Sequence, residues 1–282
     1  MKAPPFAYVR ARTAADFFEL AARHGDGARV LAGGQSLVAS LNLRLSEPEV
    51  LVDIAHLPMA GIAEAGGVVT IGALTRHVTV ERSDIVARTL PLLAQAVPHI
   101  AHPAIRNRGT IGGSLALNDP AAEYPSCALA LGATMRIRGP GGVRDVPAAD
   151  FFRGLYATAL APDELLEAIT FPAARPGERS VFMELARRGG DYAMVGVAVH
   201  GRLVGARAEE LRCVFLGVGN GPTPAVKAAA AACAADLPGS IRAAQDALGE
   251  DLDPHGDLNA APATRLHLAR VLLGRALARF AS

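Results

Sequence analysis

Apolar and polar positions change rhythm along this chain, and the change separates three stretches. Thr13-Ala14-Ala15-Asp16 has the spacing of a helix-capping box. Phe17, Leu20, Ala21 and His24 then share one helical face, and Gly25 and Gly27 close the element. Arg29-Val30-Leu31-Ala32 predicts a short buried strand, residues 37–45 a helix and residues 50–54 a strand. Together they predict a small α/β unit. In the second stretch the pattern predicts strands at 68–73 and 165–171 and helices at 91–97 and 126–131. Strands at 134–138 and 143–146 are joined by the hairpin signal Gly139-Pro140-Gly141-Gly142. Residues 173–178, with Pro172 and Pro176, predict a linker. Beyond it, apolar stretches at 181–186, 193–200 and 211–217 predict an antiparallel meander, followed by three helices. The last helix, near 262–280, puts Leu266, Ala269, Leu273, Ala276 and Phe280 on one stripe, and Arg265, Arg270, Arg275 and Arg279 mostly on other faces. Strands followed by helices predict a separate α+β domain.

Composition narrows the class. The 282 residues are 51% hydrophobic and 20% charged, as expected of a folded globular chain. A net charge of +1 gives no electrostatic case for nucleic acid or an anionic membrane. No apolar run reaches the roughly 20 residues of a membrane span, and residues 1–12 lack a secretory pattern, so a cytoplasmic protein is expected. Cys127, Cys213 and Cys233 are far apart and are expected to be free thiols rather than cluster ligands. His99 and His102 flank a proline without a nearby carboxylate or thiol, so no metal site is expected. His77 and His24 read as surface or helix-face residues, and Asp53 as a structural carboxylate. The pair Arg106 and Arg108 either contacts phosphate or anchors a turn; the sequence leaves both open.

Two short glycine motifs carry the candidate chemistry: Ala32-Gly33-Gly34-Gln35-Ser36 and Thr110-Ile111-Gly112-Gly113-Ser114. Glycine permits close backbone approach and positive φ, so paired glycine loops can hold a diphosphate through main-chain N–H groups. Ser36, Thr110 and Ser114 can add hydroxyl donors without charge. No GxxxxGKS/T and no GxGxxG after a strand is present, which disfavours a Walker site and a Rossmann site. A dinucleotide gripped between two loops is the reading that remains.

The longer runs around these motifs resemble a known family. They are Leu31-Ala32-Gly33-Gly34-Gln35-Ser36-Leu37, Asn42-Leu43-Arg44-Leu45, Ile105-Arg106-Asn107-Arg108-Gly109-Thr110-Ile111-Gly112-Gly113-Ser114-Leu115 and Asp119-Pro120-Ala121-Ala122-Glu123-Tyr124-Pro125. They resemble the FAD-binding medium subunit of the molybdenum hydroxylases, the group of carbon monoxide, xanthine and related aldehyde dehydrogenases. The resemblance covers almost the whole chain and extends to Arg187-Arg188-Gly189-Gly190-Asp191-Tyr192-Ala193. It implies an α+β fold. A two-subdomain FAD-binding domain of the vanillyl-alcohol-oxidase/PCMH type would cover 1–175, with subdomains of about 1–56 and 57–175. A C-terminal α+β flavoprotein domain with a three-stranded antiparallel sheet and helices would cover 176–282.

The resemblance also implies residue roles. Val30, Leu31, Ala32, Gly33, Gly34, Gln35, Ser36 and Leu37, with Thr110, Ile111, Gly112, Gly113 and Ser114, match segments that wrap the diphosphate and ribityl chain of FAD. Ile100 and Leu166 match apolar contacts to the ring systems, and Glu123 an acidic residue facing the cofactor. Tyr192 matches a residue that approaches the isoalloxazine, its alternative being a core tyrosine. Met183 is placed at the same site, where many relatives carry lysine; its neutral side chain would withdraw a positive charge from the flavin. Ala101-His102 replaces a common Gly-His or Gly-Asp step, a change of local backbone geometry. No catalytic acid, base or nucleophile is expected in this chain. The implied partners are a small subunit with [2Fe-2S] clusters and a large subunit with the molybdopterin cofactor, as a dimer of heterotrimers. Electrons would pass through FAD to NAD, a quinone or oxygen. Two rivals stand beside this reading: a self-contained flavin oxidoreductase, and an assembly subunit with a decayed flavin site.

Overall fold

The computed structural model describes residues 2–282. Its N-terminal unit runs β1 (Ala7–Arg10), α1 (Ala14–His24), β2 (Ala28–Leu31), α2 (Leu37–Asn42) and β3 (Val50–Asp53). The capping box is real: the Thr13 hydroxyl accepts from the Asp16 N–H at 3.0 Å, and Phe17 and Ala21 bury the predicted face. The strands form a parallel sheet in the order β1-β3-β2. Central β3 is buried along its whole length, whereas β2 lies at an edge with Arg29 and Val30 exposed. The expected burial of β2 is therefore corrected: an edge strand has one neighbour, and its other side borders a cleft. β1 escaped the sequence pattern because its positions are nearly all exposed. Asp53 is structural, accepting from the Tyr8 hydroxyl and from the Ala55 N–H at 2.8 Å.

The second unit contains β4 (Ile62–Ala65), β5 (Val68–Gly72), α3 (His77–Glu81), α4 (Asp84–Thr89), α5 (Pro91–Ala96), α6 (Pro103–Arg106), α7 (Ile111–Leu117) and α8 (Glu123–Leu131). The hairpin β6 (Thr134–Gly139) and β7 (Gly142–Pro147) follows, then α9 (Ala148–Phe151), the ribbon β8 (Phe152–Gly154) and β9 (Ala157–Thr158), and β10 (Leu165–Pro172). An antiparallel sheet in the order β4-β5-β10-β6-β7 packs against α7 and α8 through a core that includes Ile71, Leu93, Ile111, Leu115, Met135 and Ile169. The second glycine motif is not a loop. Its residues form the first turns of α7, with the Thr110 hydroxyl capping the Gly113 N–H at 3.1 Å. It also follows the short helix α6 rather than a β-type segment.

The C-terminal unit has β11 (Glu178–Leu185), β12 (Val195–Val204), β13 (Arg207–Leu216) and β14 (Thr223–Pro224), antiparallel in chain order, then α10 (Val226–Cys233), α11 (Leu237–Asp251) and α12 (Pro262–Ala281). The expected meander is present, with the two-residue β14 as a fourth strand. One face of the sheet meets the helices through Val197, Phe215, Ala228, Leu273 and Phe280. The other face contributes Phe182, Ala198, Val214 and Leu216 to the core of the second unit. Arg265 departs from its expected surface place on α12. It is buried, and its guanidinium donates to the Met194 and Gly217 carbonyls and to the Asp257 carboxylate. These three acceptors compensate a charge that periodicity alone assigns to water.

Candidate functional site

A cleft of about 670 Å³ opens where the three units meet. Nearly all of the residues singled out from the sequence line it: Val30, Ala32, Gly33, Gly34, Gln35, Ser36, Leu37, Ile100, Thr110, Gly112, Gly113, Ser114, Glu123, Leu166 and Tyr192. Leu31, Ile111 and Met183 do not. Leu31 ends β2, and Ile111 is fully buried in the core beneath the cleft. Met183 packs with the core between the C-terminal sheet and its helices. Alternation along β11 turns its neighbours Phe182 and Glu184 to the opposite face. The expected proximity of Met183 to the site is therefore corrected: the residue of β11 on the inner side is Glu184.

Tertiary packing brings the two glycine motifs together. A Cβ on Gly33 would stand 2.4 Å from the Arg108 carbonyl oxygen and 2.7 Å from the Gly109 Cα, so only glycine allows the first loop to rest on the segment entering α7. Gly34 takes a left-handed conformation, φ +73°. Beyond these two turns, the N–H groups of Gly33, Gly34, Gln35, Ser36 and Leu37 have no protein acceptor among the described residues. Five successive N–H groups without a protein acceptor, in a segment that lines the cleft, are the kind of donor set that suits an anion.

The second motif behaves differently. The Ile111 N–H donates to the Thr75 carbonyl and the Gly112 N–H to the Ala73 carbonyl, while Gly113 is capped by Thr110. The N–H groups of residues 111–114 are thus engaged, and neither Gly112 nor Gly113 has a positive φ. Gly112 is required by packing, since a Cβ there would sit 2.4 Å from the Ala73 Cβ. Gly113 faces the cleft and offers a bare helix surface to whatever lies there.

Charged and titratable groups complete the walls. Glu123, at the start of α8, is 8% exposed; burial, then the nearby Glu184 charge, pushes its pKa up to about 8, so it is neutral at pH 7 and can donate. His77 also lines the cleft and is buried, which corrects its expected place at the surface. Burial, then the Arg106 charge, pushes it down to about 4, and it is neutral. Its ring lies 5.3 Å from that of Tyr124, and it packs under Gly109. Arg106 itself resolves the two readings left open above: it anchors a turn. Its Nε donates to Glu81 at 2.9 Å, and Nη1 to the carbonyls of Ile100 and Ala101 at 3.0 and 2.9 Å. Ala101, held by that bond, has φ +45°, a conformation glycine adopts without strain. Asp119 lines the cleft as well, at the head of a motif in which only Glu123 was singled out; Leu160, Glu164 and Leu165 also line it and were missed, because each reaches it through a turn or strand end with no motif of its own.

Comparison with known proteins places this architecture. Residues 4–174 match the model of the FAD-binding domain in molybdopterin dehydrogenases, and residues 180–280 that of the CO dehydrogenase flavoprotein C-terminal domain. The chain belongs to the FAD-binding medium subunits of the carbon monoxide and xanthine dehydrogenase family. FAD is the cofactor of such a medium subunit. Among its relatives, the 6-hydroxypseudooxynicotine dehydrogenase complex subunit alpha of Paenarthrobacter nicotinovorans is 37% identical over 99% of this chain and 95% of its own length. The xanthine dehydrogenase FAD-binding subunit of Escherichia coli O157:H7 is 33% identical over 94% and 92%. The structure of carbon monoxide dehydrogenase from Hydrogenophaga pseudoflava superposes with a TM-score of 0.96 at 36% identity, covering 99% of this chain and 98% of that one. The donor set at Gly33–Leu37 and the bare Gly113 surface suit the cofactor: free main-chain donors match an anionic bridge, and no lysine is needed.

Proposed function

We propose that this chain is the electron-transfer flavoprotein subunit of a cytoplasmic molybdenum-containing hydroxylase or dehydrogenase. It takes electrons from [2Fe-2S] clusters of a small partner subunit and passes them to an external acceptor, while a large subunit with the molybdopterin cofactor oxidises the organic substrate. A dimer of such heterotrimers is the assembly we expect. Bound FAD supplies reversible one- and two-electron redox chemistry; the protein supplies position and electrostatics.

The residue assignments follow from the cleft. The N–H groups of Gly33–Leu37 hold the diphosphate, and the hydroxyls of Ser36 and Ser114 add uncharged donors. Ile100 and Leu166 give apolar contact to rings, and neutral Glu123 offers an O–H to the cofactor. Tyr192, 71% exposed at the cleft mouth, is free to lie against the flavin, which removes the core-tyrosine alternative. Residues 1–175 form the FAD-binding portion and 176–282 the portion that closes the cleft. The observation that carries this reading is the run of N–H groups at Gly33–Leu37 without a protein acceptor, in a cleft that Gly113 also lines.

The test is direct. The purified full-length chain is expected to be yellow, to release FAD on denaturation, and to oxidise organic substrate only when co-purified with its iron–sulfur and molybdenum partners. A colourless chain that also fails to bind added FAD would sink the proposal.

A further inference from the structure

Glu184 has no part in the reading above, yet it is the least expected group beside the cleft. Its side chain is only 5% exposed, and Oε2 has no hydrogen-bond partner. A buried carboxylate oxygen without a donor is costly and demands an explanation. Oε1 lies 3.4 Å from Nδ1 of His99, whose ring is 43% exposed. That is the one polar side-chain contact Glu184 makes among the described residues.

A second cavity, about 400 Å³, borders this pair; Arg106 and Arg188 also line it. Ala101 and Gly190 line both this cavity and the main cleft, so the two spaces adjoin there. On the cleft side stands Glu123. The charged groups that face it are Glu184 from β11 and Asp119 from the preceding turn. Tyr124 and Cys127, its neighbours on α8, are held neutral by burial. Arg106 is already paired with Glu81. Solvent, imidazole and unpartnered carboxylate therefore follow one another on the side of the second cavity, and the cleft that Glu123 lines adjoins that cavity at Ala101 and Gly190.

We propose that His99, Glu184 and Glu123 form a proton relay from the second cavity into the flavin cleft. The inference rests on the flavoprotein reading and deepens it, since complete reduction of a flavin takes up two protons with its two electrons. Electrons come from the [2Fe-2S] donor of the proposed complex. The proton leaves the Glu123 O–H for the cleft; Glu184 passes one to the resulting Glu123 carboxylate; the His99 imidazolium reprotonates Glu184 and is recharged from water in the second cavity. Two passes supply both protons. Burial keeps the proton on Glu123 up to about pH 8, so the last member is loaded at neutral pH. Glu123 touches the cleft, and Glu184 and His99 act through it.

The test uses the full-length chain loaded with FAD and reduced by flash photoreduction with a deazaflavin donor. Flavin bleaching and proton uptake, the latter by a pH indicator, are recorded separately. In the wild type the two are expected to coincide. Glu184→Gln should slow proton uptake about 100-fold, with FAD content and thermal melting unchanged. Glu184→Asp should restore most of the rate. His99→Gln, at a half-exposed position that poses no threat to folding, should slow uptake in the same sense, and added imidazole should rescue it. Wild-type uptake in a folded, FAD-loaded Glu184→Gln or His99→Gln variant overturns the relay alone. A wild-type chain that takes up no FAD overturns the flavoprotein reading, and the relay with it.

Discussion

The two glycine motifs flank one cleft but present opposite backbones to it. At Gly33–Leu37 the N–H groups are free, Gly34 is left-handed, and Gly33 touches the Arg108 carbonyl. At Ile111–Ser114 the N–H groups are engaged in a helix capped by Thr110, whose Gly112 packs on Ala73. The first motif leaves donors unpaired; the second builds a wall and keeps it bare. Glycine serves three separate needs here: unusual φ, close backbone contact and absence of a side chain. Identical letters in sequence do not say which need is met.

Substitutions can break this comparison. The largest effect is expected from Gly33→Val, which forces Cβ into the Arg108 carbonyl and moves the whole donor set. Loss of FAD affinity by about 100-fold or more should accompany a lowered melting temperature, read by flavin absorbance and circular dichroism. Unchanged FAD binding in a folded variant would place the anion elsewhere.

Next comes the carboxyl just beyond the second motif. Glu123 has an ordinary value of 4.5 and rises to about 8 when folded. The unfolded chain therefore loses this proton first, and stability falls as pH rises from about 4.5 to about 8. Glu123→Gln should abolish that slope and make the FAD-free chain more stable at pH 8 by on the order of 4 kcal/mol. The two proteins should converge below pH 4.5. Urea melts across pH 4–9 measure it, and parallel curves would mean that Glu123 is ionised in the fold.

Gly113→Val sharpens the wall assignment. The position is helical, and an added Cβ meets only the Thr110 hydroxyl, at 2.9 Å. Stability should change by less than about 1 kcal/mol, while FAD affinity falls about 10-fold because the branched side chain projects into the cleft. Equal losses of stability and affinity would make Gly113 a packing residue like Gly112. The smallest effect is expected at Ala101→Gly. Relief of the φ +45° backbone is offset by greater freedom in the unfolded chain, leaving a gain below about 1 kcal/mol. A clear destabilisation in a calorimetric scan would show that Ala101 is unstrained.

Adjacent residues Met183 and Glu184 give the same lesson as the motifs. The family resemblance draws attention to position 183, yet the side chain that reaches the inner side belongs to position 184. Strand alternation makes one residue the difference between two cores. Likewise, Gly-Gly lowers helix propensity, so Thr110–Ser114 reads as a loop until Thr110 caps it and Ala73 packs against it. His77 carries no local signal of burial, because the pocket that excludes water from it is made by Tyr124 and Gly109, far away in the chain.

By itself the sequence determined what local physics controls: the Thr13 cap of α1, the Gly139–Gly142 hairpin, the C-terminal meander and the apolar stripe of α12. It also marked fifteen of the residues that line the cleft, most of them in contiguous runs. Tertiary structure alone decided which N–H groups stay free, which carboxyls lose water and which of two neighbouring side chains faces inward. Those properties depend on what chain-distant segments leave unpaired or cover, and local propensity does not encode that sum.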